Sequence, residues 1–73
     1  MKQFEYCYFI EWSGLPKEII FSSGQLKDVS NMKRVDIVGI LGSEGWEMVG
    51  TTRTREYSGS DLELYFRRDL QTN

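Results

Sequence analysis

Apolar and polar residues alternate along three stretches of the chain. In residues 3–12 aromatic and aliphatic side chains occupy every second position, which predicts a β-strand. The same alternation predicts strands over residues 46–55 and 61–69. A short apolar run at residues 18–22 predicts a further strand, although a run of this length has no clear period. These segments are expected to form an antiparallel sheet.

One stretch, residues 32–44, shows a helical spacing instead. Apolar residues recur there mainly at steps of three: Met32, Val35, Ile37, Val38, Ile40 and Leu41. Ser30 and Asn31 precede this stretch as candidate N-caps, and Gly45 follows where a left-handed residue ends a helix. The predicted fold is α+β, in the order β(β)αββ. It has an antiparallel sheet of three to four strands with one helix packed on one face, in a single domain over residues 1–73.

The alternation also suggests which side chains meet the helix. We expect this set to face it: Tyr6, Tyr8, Ile10, Met48, Leu64 and Phe66. The far face would then display Cys7, Phe9, Val49, Thr51, Tyr65 and several arginines. Because an exposed apolar patch usually marks a contact surface, we predict Phe9, Val49 and Cys7 as an interface between copies of the chain.

Composition narrows the possible functions. The chain has 73 residues, with nine Lys+Arg against eleven Asp+Glu, one cysteine and no histidine. An internal disulfide, a histidine metal site and a histidine-activated nucleophile are therefore excluded. So small a core is marginal, which favours self-association. A net charge of −2 makes nucleic-acid binding an unfavourable interpretation, and no apolar run is long enough for a membrane span.

Three segments carry a resemblance to a known family. Phe-Glu-Tyr at 4–6, Leu-Gly-Ser-Glu-Gly-Trp-Glu-Met-Val at 41–49 and Tyr-Phe-Arg-Arg at 65–68 resemble the domain of unknown function 4177 of short bacterial and phage proteins. The resemblance spans nearly the whole chain. It departs at Cys7, where Lys is usual, and at Asp69, where Pro is common. The resemblance implies the fold but no activity.

No grouping of residues suggests catalysis. The carboxylates are scattered singly, and Cys7 lies in mid-strand without a histidine to lower its pKa, so we predict a non-enzyme without cofactor or metal. Trp46 is expected to be buried where helix meets sheet, with stacking on a ligand as the alternative. A lone thiol and the absence of a signal sequence predict a cytoplasmic protein, and the resemblance implies the cytoplasm of a bacterium or of a phage-infected cell.

Arginine is concentrated in one hairpin. Arg53, Arg55, Arg67 and Arg68 are four of the five arginines in the chain. Guanidinium groups bind phosphate and aromatic rings stack on bases. We therefore predict a site for an anionic nucleotide-type ligand formed by Arg53, Arg55, Arg67, Tyr65 and Tyr57, with Trp12 as a further stacking residue. The alternative is ion pairing of these arginines with Glu5, Glu47 and Glu63.

Two interpretations of function follow. The first is a small non-enzymatic binding module that acts as a homo-oligomer and binds or sequesters a nucleotide-derived ligand. A concrete form of it is a phage protein that sequesters cyclic nucleotide immune signals. The second is a structural or regulatory protein–protein interaction module, without a small ligand, that docks through the far face of its sheet.

Overall fold

The fold is seen in a computed structural model that describes residues 3–56 and 59–70, with the backbone alone for residues 54–56 and 59–60. The elements are β1 (Phe4–Trp12), β2 (Leu15–Phe21), β3 (Leu26–Asp28), α1 (Arg34–Ser43), β4 (Glu47–Glu56) and β5 (Gly59–Asp69). The α+β class is confirmed, and the described residues contain one helix. The sheet has five strands rather than the three to four predicted, because the three-residue β3 is too short to show a period.

The five strands form one antiparallel sheet in the order β3-β2-β1-β5-β4. β1 is therefore central, between β2 and β5. Because β3 and β4 are at opposite edges, the connection that contains α1 must cross the sheet. This crossing places the helix over one face, as the sequence predicts.

The helix ends as predicted but begins later. Its N-cap is Lys33, which is extended and makes no side-chain cap hydrogen bond, so neither Ser30 nor Asn31 caps it. At the other end Gly45 has a φ of 89°. The Trp46 N–H donates to the Leu41 carbonyl at 2.9 Å, and the Gly45 N–H donates to the Gly42 carbonyl at 3.1 Å. This Schellman motif satisfies the last carbonyls of α1 and directs Trp46 towards the core.

The core lies between α1 and one face of the sheet. Its buried apolar members are Cys7, Phe9, Ile19, Val29, Ile37, Leu41, Trp46, Leu64 and Phe66. The rings of Phe9 and Phe66 stack with their centroids 5.9 Å apart. On the helix, Ile37 and Leu41 are fully buried one turn apart, whereas Val35 is exposed. The buried residues of α1 are thus four positions apart, and the prediction that Val35 belongs to the apolar stripe is wrong.

The predicted facing of β1 is reversed. Phe9 pairs with Leu64 and Cys7 pairs with Phe66, all on the helix side. Tyr8 pairs with Tyr65 on the opposite side, which we call the open face. The open face carries by register Phe4, Tyr6, Tyr8, Ile10, Trp12, Leu15, Ile20, Leu26, Tyr65 and Arg67. The strand register explains the reversal. The even-numbered residues of β1 pair with β5 residues that include Arg67 and Glu63, and these charged side chains would be costly to bury.

Candidate functional site

The open face is rich in aromatic side chains that α1 does not cover. Tyr6 is 50% exposed and Trp12 is 48% exposed. At the centre, the rings of Tyr8 and Tyr65 stack with centroids 5.4 Å apart and an interplanar angle of 25°. A groove of about 280 Å³ lies beside this pair, and Tyr6 and Ile20 line it further. The centre of the open face is thus aromatic and apolar, with a preformed depression.

Arg67 lies on the open face near the end where β1 begins. Its guanidinium carbon lies 4.7 Å from the centroid of the Phe4 ring, within cation–π distance. Its Nη2 lies 3.9 Å from a carboxylate oxygen of Glu47, which is a long and solvent-exposed ion pair. Such a contact contributes little to stability, so the guanidinium is held in place mainly by the Phe4 ring.

Carboxylates surround this aromatic surface. By register, the open face carries Glu18, Asp28, Glu47, Asp61, Glu63 and Asp69. Among the described residues, two cations lie on the same side: Arg67 by register, and Lys17, which is exposed in the β2 bulge between the buried Pro16 and Glu18. Partial burial and the neighbouring Glu63 raise the pKa of Tyr65, which keeps the phenol protonated. The aromatic centre therefore has an acidic surround.

The structure separates the predicted arginine cluster. A β-bulge in β4 leaves Val49 as an extra residue, because Met48 pairs with Phe66 and Gly50 pairs with Tyr65. Beyond the bulge the alternation is reversed, so Arg53 pairs with Leu62 on the helix side. Arg67 lies on the open face. The prediction that these two arginines share one face is therefore wrong.

The other predicted residues have different outcomes. Arg55 pairs with Ser60 along the backbone, its side chain lies outside the described part, and Tyr57 lies outside the described residues. Trp12 and Tyr65 lie on the open face with Arg67. Of the four predicted ligand residues whose side chains the structure describes, three therefore share one surface.

The predicted interface residues are not one exposed patch. Phe9 and Cys7 are buried within the core of one chain, so the patch expected from them on the far face is wrong. Burial raises the pKa of the Cys7 thiol to about 11, which makes it a poor nucleophile. Val49 is exposed at the bulge, at the edge of the sheet rather than beside Phe9.

A buried ion pair joins the helix to the sheet, and sequence reasoning missed it. Glu11 is 2% exposed, and both of its carboxylate oxygens accept hydrogen bonds at 2.6 Å from Nε and Nη2 of Arg34. This bond raises the pKa of Arg34. The one available signal was a carboxylate on the same strand face as Cys7 and Phe9. The pair fixes the first turn of α1 on β1 and has no free group for chemistry.

A second charged cluster holds Trp46. The Arg68 guanidinium lies 4.4 Å from the Trp46 ring, its Nε and Nη2 donate to Glu5, and its Nη1 donates to the Glu44 carbonyl. Trp46 itself is 6% exposed and packs at a tilt against Phe21. The burial predicted for Trp46 is confirmed. With its donors already engaged, Arg68 stabilises the helix end rather than serving a ligand.

Within residues 3–56 and 59–70, no three His, Cys, Asp or Glu side chains form a group that could hold a metal ion. In the same ranges, no helix is long and apolar enough to cross a membrane. No protein-family model, curated protein or solved structure matches this chain. The resemblance to the domain of unknown function 4177 therefore stays a prediction.

Proposed function

We propose that this protein is a non-enzymatic interaction module that docks on another protein through its open face. The observation that carries the proposal is the uncovered aromatic surface, with Tyr6 and Trp12 about half exposed on either side of the stacked Tyr8 and Tyr65. Tyrosine and tryptophan are the residues most enriched at protein interfaces. Aromatic side chains lose little conformational entropy on binding, because each has only two side-chain dihedral angles.

The size of the open face fits this role. The nine residues of β1 extend over about 30 Å, and the five strands, at four spacings of about 4.8 Å, span about 19 Å across. The flat area is then about 600 Å², and side-chain relief raises the accessible area above that figure. A standard interface buries about 800 Å² on each partner. One open face therefore supplies roughly the area that a stable complex needs.

Photo-crosslinking in the cells that produce the protein tests the proposal. A benzophenone amino acid replaces Tyr6 on the open face, and the matched control replaces Val35, which is exposed on α1. We expect protein adducts from position 6 and few from position 35. Equal adducts from both positions, or none from position 6, would refute docking through the open face.

Binding of an anionic nucleotide is a second candidate function. Its support is that Tyr65, Arg67 and Trp12 share the open face. Its difficulty is electrostatic, because phosphate would approach six carboxylates and only two cations, Arg67 and Lys17. Calorimetric titration with cyclic dinucleotides tests it directly. Heat that disappears in Arg67→Gln supports the nucleotide, whereas no heat with the wild type rejects it.

A further inference from the structure

The two sides of this protein differ in charge. Among the described residues, the open face has six carboxylates against Arg67 and the Lys17 of the β2 bulge, an excess of four negative charges. The whole chain has a net charge of only −2. The other residues together therefore have a positive net charge, of +2. Acidic residues are concentrated on the aromatic side of the sheet.

One acidic pair concentrates negative charge on the open face. Glu18 and Asp28 are direct cross-strand partners at the outer part of the open face, where like charges destabilise the sheet. The Ser30 backbone N–H donates to an Asp28 carboxylate oxygen at 2.9 Å and lowers the pKa of Asp28, so this carboxylate stays ionised. A cation of a partner would be attracted to this pair of carboxylates.

Carboxylates of β5 also lie directly beside apolar side chains of β1 on the open face. In β5, Asp61 pairs with Trp12 and Glu63 pairs with Ile10. A lysine or arginine of a partner that reaches the Asp61–Trp12 pair would meet a carboxylate and an aromatic ring together. Ion pairing and cation–π attraction both favour a cation at such a position.

We infer that the partner of the open face is a basic protein surface, with apolar side chains at its centre and lysine or arginine around them. The inference rests on the proposed docking function. Electrostatic complementarity sets partner choice and suppresses wrong partners, since like charges across an interface are costly. An acidic surface is thereby disfavoured, and a second copy of this chain would place carboxylates against carboxylates.

Two designed peptides test the sign of the charge. One alternates lysine with leucine, and the other alternates glutamate with leucine; both carry a fluorescent label for anisotropy. Since several ion pairs of a few tenths of a kcal/mol each add to about tenfold in affinity, the lysine peptide should bind at least about tenfold tighter. Equal affinity for the two peptides, or no binding of either, would overturn the inference.

Matched variants locate the binding. Asp61→Asn with Glu63→Gln removes two charges from the open face, and Glu63→Gln keeps an acceptor for the Thr52 hydroxyl. Asp36→Asn with Glu44→Gln removes two charges from exposed positions on α1 and at its C-cap. The open-face variant should bind the lysine peptide several-fold more weakly than the control variant. Equal weakening would mean non-specific attraction and would overturn the inference.

The crosslinking experiment separates this inference from the function on which it rests. An adduct from position 6 whose contact region on the partner is rich in lysine or arginine supports both. An adduct on an acidic or uncharged region, or on a second copy of the chain, overturns the basic partner and leaves docking intact. Absence of adducts refutes docking itself.

Discussion

Removing Arg34 should destabilise the fold, because it leaves the Glu11 carboxylate buried without its partner. Breaking a fully buried ion pair in this way costs about 3–5 kcal/mol. The Arg34 side chain is 51% exposed, so water can reach part of the vacated site. We therefore expect Arg34→Met to lower the free energy of unfolding by about 2–3 kcal/mol. A domain of this size has about 4–11 kcal/mol in total, so the loss is large.

Urea unfolding monitored by tryptophan fluorescence measures the effect, since Trp46 is buried in the fold and exposed on unfolding. The double variant Glu11→Met with Arg34→Met removes both charges and should recover most of the loss, because apolar replacement of a whole pair is nearly neutral. Lys33→Met is the control and should change stability by less than about 0.5 kcal/mol. A loss below about 1 kcal/mol for Arg34→Met, or no recovery in the double variant, would refute the reasoning.

Three further predictions concern packing, pH and salt. Trp46→Ala should cost about 3–5 kcal/mol by circular dichroism in urea, whereas Trp12→Ala should cost less than about 1 kcal/mol; similar losses would contradict the packing described. Burial raises the pKa of Cys7 from 9.0 to about 11, so the folded state holds this proton more tightly than the unfolded state. The stability that the bound proton contributes is complete below pH 9.0 and is lost towards pH 11, by about 2–3 kcal/mol. If a Cys7→Ala variant lost the same stability at alkaline pH, Cys7 would be excluded as the cause. Self-association stays a prediction. If it uses the acidic open face, light scattering should show more association with added salt, since the screening length falls from ~30 Å at 0.01 M to ~8 Å at 0.15 M; a decrease would exclude this mode.

Sequence pattern predicted the long elements well. The alternation placed β1, β4 and β5 within about two residues of their observed ends, because each is long enough to repeat the pattern several times. Gly45 marked the end of α1, since only a left-handed residue forms the Schellman motif easily. The start of α1 was harder to predict from the sequence, because no side chain caps it.

The composition of the candidate site could not be predicted from hydrophobic alternation alone. Both alternating rows of β1 are apolar, one with Tyr6 and Tyr8 and the other with Cys7 and Phe9, so alternation alone does not say which row is buried. Pairing with β5 decides the matter, and pairing is a long-range property. The β-bulge at Val49 then reverses the faces of β4, which separates Arg53 from Arg67. A bulge of one residue has no reliable signature in a single sequence.

The strand order has a consequence for how this chain reaches its native state. The centre of the sheet pairs β1 with β5, two strands separated by most of the sequence, and the Phe9–Phe66 stack depends on that pairing. Closing so long a loop costs entropy before the contact is formed, and non-local pairings slow folding. The β1–β2 hairpin and α1 form locally but bury little without β5. A chain shortened before β5 should therefore stay unfolded, and a growing chain should acquire its core only after β5 has been synthesised.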